Sequence, residues 1–174
     1  MLFRSQLLEQ LQQGELDAVL GRLAEPDRMM HLRFEPLWSE PLVAALHPAH
    51  PLLTLPFSQW QTLSVPLVVA LPGTAIRKAA DDFLASIDAR PGAAVIETLE
   101  PEIGRSLAWH DHAVWFTPSG NIHDGLESLP LEPLTLPGAA SEAIGLYLPA
   151  DGEGDAAGGH IADLVDLVHS LRHR

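Results

Sequence analysis

The sequence predicts an α/β layer fold with a mostly parallel sheet. Short, nearly continuous apolar runs of strand length alternate with stretches of helical period, and glycine or proline marks most junctions. Two separate β–α–β groups, joined by proline-rich extended segments, predict two lobes.

The first element is a helix ending at Gly14. In "LLEQLQQGELDAVLGRL", Leu7, Leu8 and Leu11 fall on one face, opposite Gln and Glu. Ser5 is placed to cap its start, and Gly14 suits a left-handed C-terminal cap because it has no Cβ. Residues 18–20 are apolar on consecutive positions, as in a strand covered on both faces. Residues 24–40 read as a polar connection. A strand follows at 42–46, stopped by Pro48 and Pro51, then a short helix within 56–63. "VPLVVALPGT" holds a buried strand at 67–71 and a Pro-Gly-Thr turn, after which Thr74 or Gly73 caps a helix over 75–87. Further strands are expected at 93–98 and 112–117, with a helix over 102–109 between them. Residues 131–136 and 142–148 are extended, "DGEGDAAGG" is an acidic loop, and 161–171 is an amphipathic helix.

Composition narrows the function classes. The 174 residues are 47% apolar, enough for a substantial core. A net charge of −13 opposes contact with phosphate backbones. With no cysteine, thiol chemistry and disulfides are excluded. No leader-like segment opens the sequence, and no apolar run reaches the ~18 residues of a membrane span, so a soluble cytoplasmic chain without membrane contact is expected.

Three stretches carry a resemblance: "LLEQLQQGELDAVLGRL", "EPLWSEPLVAALHPAHPL" and "VVALPGTAIRKAADDFL". Together they resemble the effector-binding domain of LysR-type transcriptional regulators over nearly the whole chain. "DHAVWFTPSG" is similar to PcaQ-like members that regulate protocatechuate catabolism, from which "TPSGNI" departs. The resemblance implies two Rossmann-like lobes joined by two crossover strands, a type 2 periplasmic-binding-protein-like fold. Lobe one would be residues 1–46 plus 136–174, and lobe two residues 47–135. A small organic anion, such as the aromatic-acid catabolite carboxymuconate, would bind in the interlobe cleft. Family domains carry a strand, a helix and a winged helix-turn-helix ahead of the segment where this sequence starts. Against that pattern it reads as N-terminally incomplete, with DNA contact made only through the helix-turn-helix and with homo-oligomers expected. The runner-up is a free-standing solute-binding protein of the same architecture.

The best local site is "LPGTAIRK". A helix start offers free N–H donors and a positive dipole end to a carboxylate. The resemblance places Gly73, Thr74 and Ala75 against the effector, with Arg77 in the first turn; otherwise this is a capped helix with a solvated arginine. Arg4 and Ser5 match a second helix start facing the cleft. Arg4 departs from the hydroxyl residue usual there, and either forks onto a carboxylate or is a frayed terminal residue. Arg22 follows a strand end and is a candidate against an ordinary surface arginine. Thr98 ends another strand and is either a binding residue or a cap for the next turn.

No catalytic set emerges. Ser119 lies outside a nucleophile elbow, and Asp81 and Asp82 belong to an acidic helix face. The closest histidine pairs, His47 with His50 and His110 with His112, lack the helical spacing of a zinc hydrolase. No enzyme activity, cofactor or metal is expected.

Overall fold

The computed structural model describes residues 2–23, 29–62, 64–89, 94–123, 129–138 and 141–150, with 163, 166 and 167. The chain divides into two compact units, Met1–Ser39 with Glu142–Arg174, and Glu40–Ser141. It passes between them at 39/40 and 141/142, whereas the sequence placed these steps at 46/47 and 135/136. The first step falls inside a single strand whose later half pairs entirely within the second unit, which takes residues 40–46 with it.

Unit 1 contains α1 (Leu2–Gln12), β1 (Val19–Arg22), the start of β2 (Leu32–Leu46) and most of β7 (Ser141–Pro149). Because α1 begins at Leu2, Ser5 lies inside the helix and is not its N-cap. At the other end the expected glycine cap is present. Gly14 has φ +77°, its N–H donates to Leu11 O, and Glu15 N–H donates to Gln10 O, the paired bonds of a Schellman ending. Leu8 and Leu11 pack with Val19, Leu32 and Tyr147, while Leu7 is 40% exposed and sits off that face.

β1 corrects the reading of residues 18–20. It pairs antiparallel with β7, Val19 opposite Tyr147 and Arg22 opposite Ile144. Only Val19 is buried, and Leu20 is 54% exposed. A run this short does not distinguish a doubly covered strand from a one-sided edge strand. The Tyr147 hydroxyl donates to Arg22 O at 2.6 Å, and its ring packs on Phe34 at 4.8 Å. At Gly145 a Cβ would collide with the carbonyl of Glu35, so glycine permits the close approach of β7 to β2.

The second correction concerns residues 24–40, read as a connection. Residues 32–40 belong to β2, a strand of 15 residues that includes Pro36 and Pro41. Proline fixes φ near −65° and removes a donor, but it permits extended backbone, so two prolines hide such a strand.

In unit 2 the later part of β2 sits between β6 (Glu132–Thr135) and β5 (Val114–Pro118), antiparallel to both. Beyond β5 come β3 (Leu67–Val69) and β4 (Val95–Glu97), parallel to β5 and to each other. The sheet is therefore mixed rather than mostly parallel. α2 (Ala75–Ser86) and two 3₁₀ turns (Pro51–Thr54, Phe57–Thr62) cover one face, where Ala44, Phe116, Phe83 and Trp60 form the core. α3 (Pro101–His110) covers the other face over Ala45, Val68, Ala108 and Trp115. The alternation of Val114 and Phe116 with Trp115 thus feeds two cores. The short α4 (Gly120–His123) follows β5.

Of the helix expected at 161–171, only Asp163, Asp166 and Leu167 are described, and all three are helical and exposed. The loop expected around 151–159 lies outside the described residues. Among the described residues no helix is long and apolar enough to cross a membrane.

A buried histidine ties the base of unit 2 together. His50 is 2% exposed; its Nδ1 accepts Leu52 N–H at 3.1 Å and its Nε2 lies 3.1 Å from His112 O. With Nδ1 acting as acceptor, the proton belongs on Nε2, which donates to that carbonyl. Burial holds the His50 pKa below its ordinary value of 6.5, against the opposing bond to His112 O, and the rings of His112 and His47 lower it further. The unfolded chain therefore gains a proton, as pH falls through 6.5, that the folded chain resists. Stability is fully present above that pH and declines below it. Urea midpoints between about pH 7.5 and about pH 5.5 should fall, and His50→Gln should flatten the slope. An unchanged slope in the variant would assign the pH dependence to other groups.

Candidate functional site

The three parallel strands of unit 2 end side by side, and each runs into a helix start. After β3, Gly73 turns the chain at φ +79° and Thr74 caps α2. The Thr74 hydroxyl accepts Arg77 N–H at 3.0 Å and donates to Leu71 O at 2.9 Å, so its polar capacity serves the cap. After β4, Thr98 N–H donates to Val69 O at 3.0 Å, and the Thr98 hydroxyl accepts Glu100 N–H at 3.0 Å. Glu100 is the N-cap of α3 but makes no side-chain cap bond; Pro101 in the first turn supplies the helical φ. After β5, Ser119 N–H returns to Pro41 O at 3.0 Å and α4 begins.

These ends border a shallow, open pocket. Ala70 and Ile76 form one wall, residues 98–101 a second, residues 115–118 a third, and Asn121 closes the end. The placement follows the general rule that ligands of α/β sheets bind outside the carboxyl ends of parallel strands. Glu100 is the one ionisable residue in the lining. The uncharged polar groups are Thr98, Thr117 and Asn121; the Asn121 amide donates to the buried Thr117 hydroxyl at 2.9 Å.

Behind this pair lies Arg105, 1% exposed. Its Nη1 donates to both Glu102 oxygens at 2.8 and 2.9 Å, and its Nη2 donates to Asn121 O. The guanidinium thus fastens the first turn of α3 to α4. Arg105, Thr117 and Asn121 were not singled out in the sequence, because three different elements bring them together. The place of Thr117 at the end of an apolar, strand-like run is the one local signal that could have marked any of them.

The candidates named from sequence separate. Thr98 lines the pocket, while Gly73, Thr74 and Ala75 form the adjacent helix start outside the lining. Arg77 lies beside them with its charge engaged: Nη1 donates to Glu97 at 2.6 Å and to Ala70 O at 3.1 Å, and Nε to Asp81 at 3.0 Å. The bond to Glu97 first, then that to Asp81, raises its pKa above the ordinary arginine value. Arg22 belongs to unit 1, where its carbonyl receives the Tyr147 hydroxyl. The side chains of Arg4 and Ser5 lie outside the described residues.

The histidines form ring contacts rather than a chelate. His47 packs on Trp109 at 4.6 Å and on His112 at 4.5 Å. Among the described residues no group of three or more His, Asp or Glu is arranged to hold a metal ion.

Residues 2–169 match the family model described as the LysR substrate binding domain. The uncharacterized HTH-type transcriptional regulator YdcI of Escherichia coli K12 is 36% identical over 146 residues, covering 83% of this chain and 48% of YdcI. The HTH-type transcriptional regulator PcaQ of Agrobacterium fabrum is 33% identical over 151 residues, covering 83% of this chain and 47% of PcaQ. The chain spans about half the length of the curated relatives it matches. Among solved structures, the effector binding domain of QuiR in complex with shikimate superposes with a TM-score of 0.66 at 17% identity, covering 92% of this chain and 75% of that one. At that identity the likeness establishes a shared fold.

Proposed function

The chain belongs to the LysR substrate-binding domain family, a family of regulators and not of enzymes, and from that premise we propose that it senses a small organic anion for a LysR-type transcriptional regulator. The pocket at the ends of β3, β4 and β5 carries this reading. Its position and its convergence of two hydroxyls and an amide on apolar walls are those of a small-molecule site. The shikimate bound to QuiR supports an organic acid as the class.

The proposed mechanism is a shift of populations. An effector that binds one conformation of the chain better than another moves the equilibrium by that difference in affinity, and no covalent step is needed. DNA, in this reading, is contacted by a helix-turn-helix part like the one for which the relatives are named. A chain of net charge −13 does not contribute that contact itself. Self-association belongs to the same proposal. Leu20 and Leu23 are exposed on and beside β1, which pairs only with β7 among the described residues.

Thermal unfolding of the chain with shikimate, benzoate and protocatechuate tests the site. At a ligand concentration a hundredfold over Kd, mass action stabilises by about 2.7 kcal/mol, a rise of several degrees. Thr98→Tyr places a ring in the mouth of the pocket at a half-exposed position and should abolish the rise. A rise that survives in the variant would put binding elsewhere.

A further inference from the structure

We propose that residues 50–60 form a strap over one core of unit 2, latched by His50 and released by acid. None of these residues lines the pocket, so the strap stands apart from the sensing reading.

The strap is made of the two 3₁₀ turns, Pro51–Thr54 and Phe57–Thr62. Its backbone bonds close within three residues: Leu53 N–H to His50 O at 3.1 Å, Leu55 N–H to Leu52 O at 3.2 Å, and Gln59 N–H to Pro56 O at 2.9 Å. Such bonds are poorly aligned, and Pro51 and Pro56 bring no N–H at all. Side chains hold the strap down. Leu52 and Trp60 are buried in the core, and the Phe57 ring lies 5.0 Å from Trp60 and 5.3 Å from Phe83. A segment held this way opens at lower cost than strands tied by ladders.

The latch is His50, whose ring is engaged at both nitrogens by backbone groups, Leu52 N–H and His112 O. It cannot take a second proton in place. A proton on Nδ1 would face Leu52 N–H, abolish the cap of the first turn, and create a cation at a 2% exposed site. His47 on its own turn and His112 on the α3–β5 loop face the ring, and each opposes a charge there. His110 and Asp111, beside His112, are exposed, and Glu132 lies across from Leu46. Acid therefore acts on the opened strap, where the ring regains water and its ordinary value of 6.5. Trp60 adds to the tendency: its Nε1–H is buried without an acceptor among the described residues, and opening hydrates it.

Hydrogen exchange of the full chain, corrected for intrinsic rates, reads this opening directly. Leu53 and Leu55 amides should exchange at least about tenfold faster than those of Leu67 and Val114, which bond to Ala94 O and Pro66 O, and should respond little to urea. Between about pH 7.5 and about pH 5.5 their opening should rise about tenfold, the factor for one proton gained at 6.5. His50→Asn keeps a cap acceptor that does not titrate, so it should abolish that rise. In the wild type the ring should keep its neutral Nε2–H form at about pH 5.5 by nitrogen NMR. Equal exchange in strap and sheet overturns the strap, because it then opens only with the whole unit. An acid rise absent from the wild type or retained in His50→Asn overturns the latch, as does a ring that protonates while Leu53 stays protected.

Discussion

Alanine at Gly104 is expected to destabilise the protein by about 2 kcal/mol and to deform the pocket wall at the same time. Two effects of opposite sign meet there. Glycine inside a helix costs about 1 kcal/mol relative to alanine, so at an open position the substitution would stabilise. At Gly104, however, the added Cβ would meet the indole of Trp115, which is 96% buried and lines the pocket. Overpacking a well-filled core costs about 1–3 kcal/mol, more where the obstructing group is stiff, and here it exceeds the propensity gain. The urea midpoint should fall, tryptophan emission should change, and ring probes should bind more weakly. Ser106→Ala, at an exposed position of the same helix, should do none of these. A Gly104→Ala protein with an unchanged midpoint would mean that the indole swings aside freely.

A larger loss is expected from Arg105→Ala, about 3–4 kcal/mol. The substitution leaves a cavity where a fully buried stem lay and strips the carbonyl of Asn121 of a charged donor. Glu102 moderates the loss, because its side chain is 62% exposed and returns to water rather than being stranded. Arg105→Met restores most of the volume without the hydrogen bonds, so it should recover about half of the loss. Denaturant melts of the two variants separate packing from polar ties. If methionine and alanine cost the same, the bonds rather than the stem hold α4 to α3.

Several local rules were readable where the signal and its cause lay within one turn, the Ser5 cap excepted. Gly14 and Thr74 cap their helices as their spacing predicts, and the apolar face of α2 is the one Ala80 and Phe83 bury. Non-local features were hidden. The coverage of β1 depends on which strand pairs with it, and β7 lies more than a hundred residues away. Pro36 and Pro41 lie in β2, whose first part read as a polar connection because proline's effect on an extended strand is slight and leaves no strand pattern to see. Of the residues named from strand ends and helix starts, Thr98 lines the pocket and Thr74 does not. The buried set of Arg105, Thr117 and Asn121 has no sequence spacing of its own, since it exists only once α3, β5 and α4 are packed.

Tyr147 is the only tyrosine among the 174 residues, and it lies in unit 1 with its hydroxyl bonded to Arg22 O. Three of the four tryptophans, Trp60, Trp109 and Trp115, lie in unit 2. The fourth, Trp38, lies in unit 1, so tyrosine reports on unit 1 alone while tryptophan emission draws on both units. Biosynthetic fluorotyrosine would give one fluorine resonance that listens only to the β1–β7 pair. In a Trp38→Phe protein, tryptophan emission would report on unit 2, where Trp115 lines the pocket. A titration followed in both channels would show directly whether an event in one unit is felt in the other.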